Sequence, residues 1–188
     1  MKIVLVFFIT FILIGCNLFE PRDAEVPRPP AEWHAFQTTP ERCLENLIFA
    51  FNFIENGWKY SSVLSDRFEF YFDPQDRVDF TLPTSWDRVK EIDMLRNAHS
   101  RTGANGIELV LSKIADREDR IQANNAWLIR RYILKVSTGT EGLYQTYVGE
   151  MELYMESEFG IWVIRRWSDF RDENEWTWGR MKDAFSSI

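Results

Sequence analysis

Cysteine and histidine are almost missing from this chain: 188 residues hold two of each. The two thiols, Cys16 and Cys43, are too few for the disulfide frameworks that staple small secreted domains. His34 and His99 stand far apart, and no paired-Cys, His-Glu-x-x-His or calcium-loop spacing accompanies them, so no metal site is expected. Basic residues are in deficit, 22 Lys plus Arg against 29 Asp plus Glu, for a formal net charge of −7. That balance argues against nucleic acid or anionic lipid as the main partner. Gly103-Ala104-Asn105-Gly106 lacks the Lys-Ser/Thr of a phosphate cradle, and no Gly-x-Ser-x-Gly elbow occurs. No cofactor is expected. Only the N-terminus carries a long apolar run.

Residues 3–14 are apolar apart from Thr10, and Lys2 is the only charge before Cys16. As helix this run spans roughly 18 Å, short of a hydrocarbon core of about 30 Å. That length suits an export signal better than a membrane span. Leu13-Ile14-Gly15-Cys16 resembles the lipobox of bacterial lipoproteins. The resemblance implies a diacylglyceryl group on the Cys16 sulfur, cleavage before Cys16, and acylation of its amine by a palmitate-type chain. Several acyl chains anchor durably where one binds marginally. Asn17 is not the aspartate associated with inner-membrane retention, which by the same resemblance points to the outer membrane, facing the periplasm. Pro21, Pro27, Pro29 and Pro30 then make a stretch with little to bury, able to hold a folded body up to roughly 50 Å from the bilayer. The expected division is a signal at 1–15, a lipidated Cys with a Pro-rich tether at 16–37, and one α+β domain at 38–188. With Cys16 acylated, Cys43 has no partner for an intramolecular disulfide and reads as a buried thiol.

Within the domain, Thr39-Pro40-Glu41 opens a helix as cap, first residue and first-turn acid. Leu44, Leu47, Ile48, Phe51 and Ile54 follow at helical spacing, and Gly57 is the expected stop. Residues 67–73 alternate as a strand, with Phe68, Phe70 and Phe72 on one face and Glu69 and Tyr71 on the other. Thr84 or Ser85 is expected to cap a second helix whose apolar side is Trp86, Val89, Ile92 and Leu95. Strands are then predicted over 107–114, 126–136, 143–156 and 161–167, with a terminal helix over 178–186. In the third of these strands Tyr147, Met151, Leu153 and Met155 share one face, Glu150, Glu152 and Glu156 share the other, and Gly149 is a bend point.

Helices first and a bent meander after is the order of an α+β roll. Thr39-Pro40-Glu41 with Leu44, Asn46 and Leu47, then Phe68-x-Phe70-x-Phe72-Asp73-Pro74, Ser85-Trp86 with Arg88 and Glu91, and Trp162-x-Ile164-x-Arg166-Trp167-x-Asp169 resemble nuclear-transport-factor-2-like (NTF2-like, SnoaL-like) domains, and more narrowly the small bacterial lipoproteins of that superfamily. The resemblance implies a cone-shaped roll: N-terminal helices packed against a curved, mostly antiparallel sheet, a pocket at its open end, and homodimerisation through the sheet.

Enzymes of this shape use a buried Asp or His as proton shuttle and a Tyr on a carbonyl. The candidates here are Tyr71, Asp73 and His99. Each also has a plainer reading: Tyr71 faces solvent or a partner, Asp73 caps a turn before Pro74, and His99 sits as a cation at a helix C-terminus. Asp169 reads as a hydrogen-bonding residue at the sheet end. Arg130-Arg131 and Arg165-Arg166 send one guanidinium to each face, toward Glu150, Glu152 or Glu156. Trp176 and Trp178 read as a tail docked on the core. The function expected is non-catalytic: binding of a small apolar ligand or a partner protein. A cone-fold isomerase, dehydratase or hydrolase and a module that only dimerises are the alternatives.

Overall fold

Thr39 starts the first helix in the predicted way. Its hydroxyl accepts from the Arg42 N–H at 3.3 Å, and Pro40 takes the first position. The computed structural model describes residues 32–140, 142–172 and 176–186. Cys16 and the expected signal and tether up to residue 31 lie outside the described residues. The compact unit begins at Glu32, ahead of the boundary expected at Thr38. Trp33 packs against the core, and the Gln37 carbonyl accepts from Trp162 N at 2.8 Å, so these residues belong to the body.

Helix α1 (Pro40–Asn52) buries Cys43, Leu44, Leu47, Ala50 and Phe51. It ends at Phe53, which turns extended (φ −126°), and not at Gly57. A 3-10 helix, Ile54–Ser62, runs straight through Gly57. Glycine is needed there for space: a Cβ would meet His99 Cδ2 at 2.8 Å.

Strand β1 (Leu64–Tyr71) puts Phe68 and Phe70 inside, with Phe72 following. Asp73 then caps a short helix, α2 (Pro74–Asp79), that the periodicity did not announce. The helix start expected at Thr84 or Ser85 is instead strand β2 (Ser85–Asp87), which pairs with β1 at Phe70↔Trp86. Asp87 is the true cap of α3 (Arg88–Thr102), its carboxylate accepting from Lys90 N at 3.0 Å. Of the predicted Val89, Ile92 and Leu95 face, only Leu95 is fully buried. Val89 is 64% exposed, and the buried side is Glu91, Met94, Leu95, Ala98 and His99.

Strands β3 (Ile107–Lys113), β4 (Arg120–Ile121), β5 (Asn125–Ser137), β6 (Tyr144–Glu158) and β7 (Ile161–Arg171) follow, and α4 (Trp178–Ser186) closes the described chain. The seven-stranded sheet runs β2-β1-β7-β6-β5-β3, with β4 beside β5. All pairs are antiparallel except β1 with β7, joined in parallel at Phe70↔Trp167. Register shifts fall between Leu64 and Glu69 and between Tyr154 and Met155. Such irregularities bend strands. No bulge sits at Gly149, because the β5–β6 register passes through it unbroken. It stands opposite Tyr132 and leaves room for that hydroxyl.

The inner face is packed with rings. Trp178 of α4 lies 4.4 Å from Trp167, 5.0 Å from Phe51 and 5.0 Å from Tyr132 between centroids, and Phe70 lies 5.6 Å from Trp167. Edge-to-face pairs at these spacings add to area burial. The middle of the cone is filled by side chains.

Candidate functional site

Two regions of the body gather chemistry: the filled interior and the outer face of the sheet. Inside, Lys182 reaches in from α4 and is fully buried. Its ammonium pairs with Glu91, also fully buried, and lies 4.0 Å from the Phe70 ring and 4.3 Å from Trp167, with Trp86 and Trp178 at 5.7 Å. Glu91 accepts two further bonds, from the Tyr60 hydroxyl at 2.6 Å and Trp86 Nε1 at 2.8 Å. Burial pulls Lys182 down to about 8, against the pull of Glu91.

A second network starts at Asp169, which accepts from the Tyr132 hydroxyl at 2.9 Å and from Gly179 N at 2.7 Å. Burial pushes this carboxyl up to about 7, and neighbouring Asp76 adds to the push. The Tyr132 hydroxyl in turn accepts from Trp178 N at 2.8 Å. Asp76 is fully buried and bonds Arg171 and the Thr177 hydroxyl. The first network ties α4 to α3 and β2, and the second ties it to β5, β7 and α2.

The three sequence candidates do not meet. Tyr71 lies on the outer face and donates to Glu69 at 2.9 Å. Asp73 caps α2, accepting from Gln75 N at 2.7 Å and Asp76 N at 3.3 Å, and its other oxygen accepts from Arg171 N at 3.1 Å. His99 is buried behind α1 and gives its Nε2 proton to the Ala50 carbonyl at 2.8 Å. Desolvation lowers its pKa, so the expected helix-end cation is instead a neutral core imidazole. Asp169 is a hydrogen-bonding residue at the sheet end, as read from sequence. Trp178 docks on the core, and Trp176 is half-buried with the Arg180 guanidinium 3.6 Å above its ring.

Arg130 and Arg131 split across the sheet, but Arg165 and Arg166 both line the outer groove, and among the described residues none of the four pairs with the expected carboxylates. Buried Arg130 forks onto Asp119 at 2.5 and 2.9 Å, while Arg131 pairs with Asp172. Sequence reasoning passed over Glu91 and Lys182 as site residues. The available signal was a charge on an apolar stripe: Glu91 shares a face with Met94, Leu95 and Ala98, and Lys182 with Trp178 and Met181.

The outer face is ordered in rows across the strands. Trp127, Tyr154, Arg166 and Glu69 stand side by side in register, followed by Ile129, Glu152, Ser168 and Tyr71, and then by Ser112, Arg131, Glu150 and Phe170. The next row is Val110, Ile133 and Val148. Val110 is 48%, Ile133 40% and Phe170 42% exposed. The Trp127 and Tyr154 rings meet at 4.9 Å, tilted by 41°, on the wall of a groove of about 310 Å³, which Arg67, Arg165 and Arg166 also line. Arg67 is paired with Glu156, and Arg165 with Glu69 at 3.9 Å. Among the described residues Arg166 has no carboxylate within ion-pair reach.

The sequence matches no family model and no curated protein. Solved structures do match. A conserved protein from Planctomyces limnophilus superposes with a TM-score of 0.55 at 15% identity, over 68% of this chain and 89% of that one. A proposed scytalone dehydratase from Novosphingobium aromaticivorans gives 0.54 at 10% identity, over 69% and 78%. The beta subunit of a proposed aromatic-ring-hydroxylating dioxygenase from the same organism gives 0.53 at 10% identity, over 72% and 88%. The fold is NTF2-like. At such identities the likeness extends to architecture alone. In this NTF2-like fold the cone is occupied by α4, and the outer face carries Trp127, Tyr154, Phe170, Val110, Ile133 and Arg166.

Proposed function

We propose that this protein is a lipid-anchored module of the bacterial cell envelope, non-catalytic, that acts by binding a protein through the outer face of its sheet, in the first instance a second copy of itself. The anchor rests on the Leu13-Ile14-Gly15-Cys16 motif and the Pro-rich tether, with the outer membrane and the periplasm as the setting. The observation that carries the binding reading is a pair of outer-face rows, half-buried Trp127 and Tyr154 beside exposed Arg166, and exposed Val110 and Ile133 beside half-buried Val148. Tyr, Trp and Arg are the residue types that dominate binding energy at interfaces. The face also mixes charge signs, Arg131, Lys135 and Arg166 against Glu69, Glu108, Glu150 and Glu152, so two copies can meet there without the repulsion that the net charge of −7 would otherwise impose. A small apolar ligand inside the cone fits less well, because Trp178, Met181 and Lys182 take up that space.

Sedimentation of the Cys16→Ser chain tests the face. A dimer is expected, and Ile133→Asp should dissociate it with the circular-dichroism spectrum unchanged. A monomer at every concentration, or a dimer indifferent to Ile133→Asp, removes the second-copy reading. Mass spectrometry of the N-terminal peptide from exported protein tests the anchor. An acylated Cys16 is expected, and an unmodified one refutes it.

A further inference from the structure

A charge pair sealed in an aromatic core is an expensive way to gain stability, since well-packed apolar side chains of similar volume commonly serve as well or better. The half of the Lys182 site that belongs to the body is nonetheless fully built without Lys182. Tyr60 from the 3-10 helix and Trp86 from β2 hold the Glu91 carboxylate in place, and Phe70 and Trp167 turn their rings toward the same point. Rings around an ammonium with a carboxylate behind it are how proteins recognise organic cations. The buried indole nitrogens of Trp167 and Trp178 have no hydrogen-bond partner, although buried polar groups in native proteins are nearly always paired. An ammonium ion has no lone pair to accept from these donors, so they do not bear on the cation the cage holds.

The cation itself arrives on α4, the last element. A cleft of about 380 Å³ opens beside it over Trp86, the residue whose indole N–H holds Glu91. Asp93, Asn97 and Asp183 line this cleft with Lys90 and Phe72. Its lining is mixed in charge, with Asp93 paired to Arg96 at 2.8 Å.

We infer that the interior of the cone is a recognition site for a primary organic ammonium ion, built from Glu91, Tyr60, Trp86, Phe70 and Trp167, and that Lys182 fills it as an internal occupant in this conformation. The site is separate from the outer-face rows and does not depend on the proposed dimer. Its chemistry selects a compact ammonium on a short apolar stem, the shape of the lysine tip. An anion is rejected by Glu91. A neutral alcohol of the same length fills the volume but leaves the carboxylate unpaired.

The test is replacement of the tethered cation by a free one. In the full chain carrying Cys16→Ser, Lys182→Ala removes the side chain beyond Cβ, and n-propylammonium restores the missing atoms. The variant should melt several degrees below its parent, and n-propylammonium should recover that loss saturably and shift tryptophan emission. Neither 1-propanol nor sodium chloride at equal ionic strength should do so. Lys182→Met, which fills the cage with an apolar chain, should fold and ignore the amine. The parent, with its own ammonium in place, should ignore it too. Equal recovery by 1-propanol, no recovery by the amine, or an equal response from the parent overturns the inference. If Lys182→Ala does not fold alone, refolding with n-propylammonium decides: folding regained only with the amine supports the site, and failure to fold while Lys182→Met folds refutes it.

Discussion

Gly149 stands directly opposite Tyr132 in the β5–β6 ladder, and its missing side chain is what lets the Tyr132 hydroxyl sit where it joins Asp169 and the first N–H of α4. A methyl group there would run into that hydroxyl and into the Phe170 carbonyl at 2.7 Å.

Gly149→Ala is therefore expected to destabilise by about 1–3 kcal/mol, the usual cost of overpacking a core. Tyr132→Phe removes one of the two clashing groups. The double variant should lose less than the sum of the singles in a urea-denaturation cycle. Simple additivity would show that the two positions are not coupled.

Asp169 and Lys182 set opposite pH slopes. The folded chain keeps Asp169 protonated up to about 7, against 3.8 for the free group, so stability falls as pH climbs from about 4 to about 7. Lys182 loses its proton at about 8 in the fold, against 10.5, so stability rises as pH climbs from about 8 toward 10. Above 10 the raised Tyr60 and Tyr132 hydroxyls oppose that rise. A shallow minimum between about 7 and 8 is expected in thermal melts. Asp169→Asn should flatten the acid side and Lys182→Met the alkaline side. A variant that keeps its parent's slope contradicts the assignment for that residue.

His99 slopes the other way from Asp169. Its folded pKa is lowered from 6.5 by burial, so the unfolded chain takes the extra proton first and stability is lost as pH falls below about 6.5. His99→Ala should cost about 2–4 kcal/mol at neutral pH, from the cavity and the unpaired Ala50 carbonyl. The gap between parent and variant should narrow toward pH 5. A gap that stays constant would mean that the fold does not shift the imidazole's pKa, and one that widens would mean that the fold holds it charged.

Asp73→Ala should cost about 1–2 kcal/mol, the ordinary loss of a helix cap, and it also leaves the Arg171 N–H without its acceptor. Asp73→Asn should recover the cap, because its amide oxygen can still accept from Gln75 N, but not the Arg171 bond, because its NH2 cannot accept. Equal losses in the two variants would show that the Arg171 bond, and not the cap, carries the cost.

Short-range chemistry was legible in the chain. Thr39-Pro40 announced α1, and alternation placed Phe68 and Phe70 inside and Tyr71 outside, because caps and strand faces depend on neighbours a few residues away. Resemblance on a few spaced residues reached the NTF2-like cone. The start of α3 was misplaced because Thr84, Ser85 and Asp87 are all competent caps, and only pairing with β1 turned Ser85–Asp87 into a strand. Local pattern could not say that Gly57 and Gly149 serve side chains from elsewhere, His99 and Tyr132. It could not join β1 to β7 in parallel. Nor could it bring Lys182 to Glu91 across the whole breadth of the domain. Those relations exist only once distant segments have packed, because burial and the neighbours it forces together belong to the assembled fold and to no single stretch of chain.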